Sequence, residues 1–318
     1  MRWSAGVIVL AAALPLAAQT YPTRSVTLVS SAPAGGSIDA VARLIAGGLG
    51  PALGQPVVVE TKPGAGGNIA AEFVAKAAPD GHTMMISSSS TLTTNPHIYK
   101  SLPFDADKSF APVIQPTRMN MILTVHPKLN VSSVEQFVAA LKAQPGKLNY
   151  ASGGVGTLQH LAAEVFGLQT GTKASHVPYK GVGPAMTELV AGQTDYMFDS
   201  ATSVPHVKAG KLRALAVIGP QRVQALPEVP TFREVGVAGM EVANGYYSIV
   251  VPAGTPRPIV DRLNAEIAKI VQQPATRDKI TAIGLDPHVS TPEELGSTLK
   301  NDRERLARVI REAGISAQ

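Results

Sequence analysis

The sequence predicts an α/β protein of two lobes, each a mostly parallel sheet flanked by helices. Three observations carry this expectation. Strand and helix patterns alternate along most of the chain, the arrangement that builds parallel sheets covered on both faces. The length of 318 residues exceeds what one hydrophobic core usually serves, which favours two lobes. Two small-residue loops, Ser30 to Ser37 and Ser152 to Thr157, each hand an apolar strand straight to a helix start.

The N-terminal stretch MRWSAGVIVLAAALPLAAQT has one Arg beside the amino group, an apolar run from Ala5 to Leu14, and small residues at Ala17 and Ala18. It reads as a signal peptide over residues 1–19, because the run is too short to span a bilayer. The absence of cysteine excludes a lipid-modified N-terminal Cys, disulfides and thiolate metal sites. The expected product is a free protein in an extracytoplasmic space, most simply a bacterial periplasm.

The first lobe is expected to contain a strand at 26–30, a helix at 38–49 patterned on Val41, Leu44, Ile45 and Leu49, a strand at 57–60, a helix at 69–77 and a strand at 83–87. The second strand runs into Pro63-Gly64-Ala65-Gly66-Gly67-Asn68 and the third into the hydroxyl run Ser87 to Ser90. Residues 101–120, rich in proline and polar side chains, read as irregular surface leading to a crossing strand. The alternation restarts with strand 121–125, helix 132–142, strand 148–151, a helix from Leu158 to Leu168, strand 174–178, helix 182–191 and strands 195–199 and 212–218. A proline-bearing connector over 226–239 leads to strand 246–251 and helices 258–272 and 292–313. The final amphipathic helix needs a sheet face to cover, which assigns it to the first lobe. Lobe 1 is therefore expected to comprise 20–120 and 244–318, and lobe 2 to comprise 121–243, with crossings near Asn120 and Asn244.

The stretch Leu148 to Leu168 concentrates the chemistry. A strand enters a loop of Ser152, Gly153, Gly154, Val155, Gly156 and Thr157, and the loop enters a helix. At a helix start the first amides lack partners and the peptide dipoles sum to a partial positive charge. Glycines let backbone approach a ligand, so the loop is an anion-binding device made of main chain. The first-lobe loop through Ala34, Gly35, Gly36 and Ser37 repeats it. Two such helix starts facing one another would grip one anion.

Individual side chains carry alternative readings. Asp39, in the first turn of its helix, either favours the helix dipole or accepts hydrogen bonds from a ligand or bridging water. Asp199 either lines the cleft rim or caps the next helix. His160 reads by default as a surface residue, with cleft contact as the alternative. Four hydroxyls directly after a buried strand favour a polar pocket wall.

Several function classes lack support. The charged fraction is 16% and the net charge +5, with basic residues scattered, so nucleic-acid binding is not expected. No dinucleotide fingerprint, GxxxxGK or HExxH spacing occurs, and neither a cofactor nor a metal is expected. Ser37, Ser152, His160 and Asp199 supply the residue types of a hydrolytic triad, yet no GxSxG elbow surrounds either serine. A periplasmic hydrolase remains the competing enzyme class, and a ligand-sensing accessory of a sensor kinase a third.

The stretches PAGGSID (33–39), ETKPGAGG (60–67), PDGHTMMIS (79–87), TTNPHIY (93–99), ASGGVGTLQHLAAE (151–164), HVPYKGVGPAMTELVAGQTDYMFD (176–199) and VPAGTPRPIVDRLN (251–264) span the mature chain. In this order the sequence resembles the Bug or TctC-type periplasmic solute-binding receptors of tripartite tricarboxylate transporters. The resemblance implies a two-lobe fold like the type II periplasmic binding proteins, a Venus flytrap that closes on a small carboxylate held by amides, hydroxyls and water. It implies no catalysis, a membrane transporter as partner and a monomer. Positions matching the family's contact loops are Ala34, Gly35, Gly36, Ser37 and Asp39; Ser88, Ser89, Ser90 and Asn95; Ser152, Gly154, Gly156, Thr157 and His160; and Asp199. The sequence departs from the family pattern at Ser37 and at Tyr246-Tyr247, where a Trp or Phe is expected nearby.

Overall fold

The structure, a computed structural model, describes residues 21–200 and 202–314. The signal-peptide reading of residues 1–19 lies outside the described residues.

The first sheet begins with β1 (Val26–Ser30), α1 (Ser37–Leu53), β2 (Val57–Thr61), α2 (Asn68–Ala75) and β3 (Thr83–Ser88). Two single-turn helices, α3 (Ser90–Thr93) and α4 (Asn95–Ile98), lead to β4 (Phe110–Met119). The chain then enters the second sheet: β5 (Met121–Val125), α5 (Val134–Ala143), β6 (Asn149–Ser152), α6 (Leu158–Thr170), β7 (Ser175–Pro178), α7 (Val182–Val190), β8 (Tyr196–Asp199), α8 (Val204–Lys208) and β9 (Arg213–Ile218). It returns to the first sheet with β10 (Gly245–Pro252), α9 (Arg257–Gln272), α10 (Pro274–Ala282), β11 (Leu285–Pro287) and α11 (Pro292–Ala313). The strand orders are β11-β4-β10-β3-β1-β2 and β7-β6-β8-β5-β9.

The expectation of mostly parallel sheets is corrected. β1 runs parallel to β2 and β3, and β6 parallel to β7 and β8, so each lobe has a parallel nucleus built by strand–helix–strand crossovers. β10 is antiparallel to β3 and β4, β11 to β4, and β5 to β8 and β9. Most of these strands stand at the passages between lobes, where the chain arrives without a covering crossover helix in the same sheet.

A second correction concerns residues 101–120, whose last part is a ten-residue strand rather than irregular surface. Its prolines are accommodated individually. The register passes from Tyr247↔Thr117 to Ile249↔Ile114, which leaves one extra residue on β4 around Gln115 and Pro116, so Pro116 sits in a bulge. β11 pairs only with Thr117 to Met119, so the Pro112 end of β4 is paired with β10 on one side and lies beyond β11 on the other. The helix α10 and the short β11 were likewise not expected from the sequence.

Helix α1 buries Val41, Ala42, Ile45, Ala46, Leu49 and Leu53, a stripe at helical spacing that covers the sheet. In the second lobe Phe137, Phe166, Tyr196, Phe198 and Phe232 form an aromatic core with ring centroids 4.9 to 6.5 Å apart. Offset and edge contacts of this kind add about 0.5–1.5 kcal/mol per pair beyond burial. Helix α11 packs Leu295 and Leu299 with Val29, Met85, Phe110 and Val250 of the first sheet, while its Leu306 and Ile310 reach Ile98 of α4 and Leu161 of α6. Asn244, with its amide oriented by the carbonyls it faces, donates to Met119 O at 2.7 Å and to Ile218 O at 2.9 Å. One side chain thereby ties together the two strands that leave each sheet.

Candidate functional site

Both glycine-bearing loops emerge at the carboxyl ends of parallel strands, β1 and β6, where open α/β sheets bind ligands. α1 follows Gly36 and α6 follows Thr157, and neither capping residue makes a side-chain hydrogen bond to its helix start. α2, α7, α9 and α10 also start without a side-chain cap, so what sets α1 and α6 apart is their place after glycine-bearing loops at the ends of inner parallel strands. Ser133 caps α5, and Thr291 forms a capping box with Glu294 on α11. Thr157 instead turns its hydroxyl back to Gly154 O at 2.8 Å. The first-turn amides of α1 and α6 are thus left for an external acceptor, each helix end favouring negative charge by about 0.3–1 kcal/mol and up to ~2 kcal/mol when partly buried.

In the first lobe, Ala34, Gly35 and Ser37 are exposed and Gly36 is half-buried. Gly35, at φ +85°, directs its amide to Asp39 Oδ2 at 3.0 Å. Asp39 also accepts from Arg43 Nε at 2.9 Å; that bond first, then the Gly35 amide, holds its carboxyl below the usual carboxylate range. Asp39 therefore braces the loop from within, and its Oδ1 is buried without a protein partner. Ser37 Oγ lies 2.5 Å from Tyr247 Oη. Tyr247 pairs with Ser88 across β10 and β3, and burial pushes its hydroxyl up to about 12. The Ser89 amide donates to Tyr246 O at 2.8 Å, and Ser90 Oγ donates to Ser88 Oγ at 3.2 Å. Ser37, Tyr247, Ser88 and Ser90 thus form one polar wall. Asn95 is committed elsewhere: its amide donates to Gly66 O at 3.0 Å and to Asn68 Oδ1 at 2.7 Å, fixing the loop after β2.

In the second lobe, Ser152 Oγ accepts from the Gly154 amide at 3.1 Å and lies 2.6 Å from His176 Nε2. The Gly156 amide donates to His160 Nδ1 at 3.1 Å. His160 is buried, which corrects the default reading of a surface residue; it lies beneath the loop. Burial, and then the neighbouring His176, push it down to about 4. Gly156 adopts φ +77°, and a Cβ there would fall 2.1 Å from Ile98 Cδ1 of α4. The second-lobe loop consequently rests against the first lobe. Gly245 repeats the contact, since its Cβ would lie 2.3 Å from Leu158 Cδ1 at the start of α6.

Asp199 is fully buried and braces the turn that follows β8, accepting from Thr202 Oγ1 and the Ser203 amide, both at 2.7 Å. Burial pushes its carboxyl above the usual range. Its oxygens are occupied by the turn before α8, a helix whose own N-cap residue, Ser203, makes no side-chain cap. Sequence reasoning missed Tyr247, His176 and Ile98 as partners of the loops. Tyr247 lies in β10 opposite the end of β3, and His176 in β7 beside β6; nothing local marked Ile98.

A model of the TctC family, described as the tripartite tricarboxylate transporter family receptor, matches residues 41–315. The chain belongs to that receptor family. It is 36% identical over 304 residues to protein BugT of Bordetella pertussis, covering 95% of this chain and 93% of BugT. Among solved structures, R. palustris Rpa4515 with adipate is 34% identical with a TM-score of 0.84, covering 93% of this chain and 99% of that one. MatC (Rpa3494) from Rhodopseudomonas palustris with bound malate is 33% identical with a TM-score of 0.80, covering 91% and 100%. The TctC family is one of solute receptors rather than enzymes, and the two-lobe binding-protein fold is that of its periplasmic members.

Proposed function

We propose that this TctC-family chain is a periplasmic receptor that captures a small carboxylate, mono-, di- or tricarboxylate, between its lobes and delivers it to the membrane subunits of a tripartite tricarboxylate-type transporter. In this reading residues 1–19 direct export, 20–120 with 244–318 form one jaw, and 121–243 form the other. One observation carries the proposal: the helix starts of α1 and α6, one from each lobe, lack side-chain caps and follow glycine-bearing loops at ligand-binding strand ends. The relatives solved with adipate and malate support the same ligand class.

The amides of Gly36 to Asp39 and of Leu158 to His160 would hold the carboxylate, with hydroxyls of Ser37, Ser88 and Ser90 beside them; the Thr157 amide is turned back to Gly154 O. The orphan Oδ1 of Asp39 is available to a bridging water. Micromolar affinity corresponds to about 8 kcal/mol. Two helix ends and several charge-assisted hydrogen bonds of ~1.5–3 kcal/mol each reach that before the costs of association, so no arginine is needed. Calorimetry of the mature protein against citrate, succinate, glutamate, adipate, malate and terephthalate is the test. Saturable binding of at least one without turnover is expected, and failure of every carboxylate would overturn the reading.

A further inference from the structure

Beneath the Ser152–Thr157 loop two imidazoles stack face to face: His160 of α6 and His176 of β7, with ring centroids 4.0 Å apart and planes 13° apart. Tyr150 of β6 extends the stack, 4.8 Å from His176. Each imidazole holds one point of the loop. His160 Nδ1 accepts from the Gly156 amide, so this nitrogen must keep its lone pair. His176 Nε2 meets Ser152 Oγ, the same oxygen that accepts from the Gly154 amide. A proton on His160 Nδ1 would point at the Gly156 N–H, and a charge on His176 would lie against the face of its neighbour in a buried site.

We propose that His160 and His176 are positioning residues that hold the second-lobe anion loop in its ligand-ready shape only while both rings are uncharged, so that acidification loosens the loop and releases the ligand. This rests on the carboxylate reading above. Among the described residues neither ring forms an ion pair with a carboxylate; each meets only the loop and its stacked neighbours. From α6 comes Glu164, whose carboxylate accepts from the Tyr150 hydroxyl. From β8 comes Tyr196, whose ring is 5.5 Å from that of Tyr150. α4 presents apolar Ile98, and α11 presents Leu306 and Ile310 to Leu161, with Arg305, Arg308 and Glu312 farther along, together with Glu241, beside Val165 and Leu168.

The sign follows from linkage. Burial, joined for His160 by the charge of its neighbour, pushes both rings down to about 4 from an ordinary 6.5. In a relaxed, hydrated loop they would titrate near the ordinary value. The relaxed state then binds more protons between those limits, so the formed loop has its full support above about pH 6.5 and loses it as the pH falls toward about 4.

The test uses two readouts on the mature protein. In ligand-free protein, the amide resonances of Gly154 and Gly156 should move with the imidazole titration in the wild type, and this movement should be absent for Gly156 in His160→Asn, whose amide oxygen accepts but does not titrate. With adipate as probe, wild-type affinity should fall about tenfold or more from pH 7.5 to pH 5, beyond the change in a His160→Asn/His176→Gln protein. Amides that stay fixed through the titration, or identical pH ratios in wild type and variant, would overturn the proposal. If adipate fails to bind at any pH, the carboxylate reading is weakened, and the amide titration by itself decides the coupling.

Discussion

Gly156 joins two constraints in one residue: a backbone at φ +77° and the absence of a side chain where Ile98 arrives from the other lobe. Gly156→Val meets both, since a β-branched residue is disfavoured at positive φ and its Cβ would collide with Ile98. We expect this variant to lose carboxylate binding in calorimetry while its circular dichroism stays close to wild type. Adding Ile98→Ala should restore only part of the affinity, because the backbone constraint remains; complete restoration would assign the whole effect to the lobe contact. At Ser37 the partner is Tyr247, and Tyr247→Phe removes one hydroxyl from the wall. A loss of about 1 kcal/mol, roughly fivefold in Kd, is expected, with no change in stability beyond a similar amount. The loop glycines were legible because glycine announces backbone conformation locally. Ile98 and Tyr247 were not, because their roles depend on which strand or helix arrives opposite.

Elements report a different balance between sequence and fold. The parallel nuclei β1–β3 and β6–β8, with the helices between them, were legible from period and length, since apolar strands and amphipathic helices carry their signal within a dozen residues. β4 was not: Pro112 and Pro116 argue locally against a strand, and it is the bulge opposite β10 and the end of β4 beyond β11 that receive them. α11 starts with a built cap. Thr291→Ala should remove the capping box of α11 and lower unfolding free energy by about 1 kcal/mol, read by urea denaturation. Because α11 is capped at the end remote from Leu306 and Ile310, ligand affinity should remain within twofold of wild type. An unaltered midpoint, or a large loss of affinity, would show that this cap has another role.

For the whole molecule, the two loops belong to different sheets, so a carboxylate held as proposed would gain its complete set of contacts only when the lobes meet about the passages at Asn120 and Asn244. Ligand then favours the closed state by the difference between its affinities for closed and open forms. Small-angle scattering should show compaction on saturation, and spin labels on α2 and α7 should approach. Equal distances with and without ligand would assign transporter recognition to local loop ordering. Asn244→Ala removes the amide that ties Met119 to Ile218. It should broaden the label distances of the ligand-free protein more than those of the liganded one.

The position of β10 between β3 and β4 also bears on how the chain comes to be folded. The segment from β5 to β9 is continuous and completes its own sheet, whereas the first sheet lacks its central strand until residues 245–252 arrive. A chain synthesised from its N-terminus therefore presents β3 and β4 as unpaired edges while the second lobe closes, and unpaired edges invite association with other chains. The lobe that begins first is finished last. Pulse-labelled hydrogen exchange during refolding should protect β6 and β8 before β3 and β4, and holding chaperones should act on the waiting half.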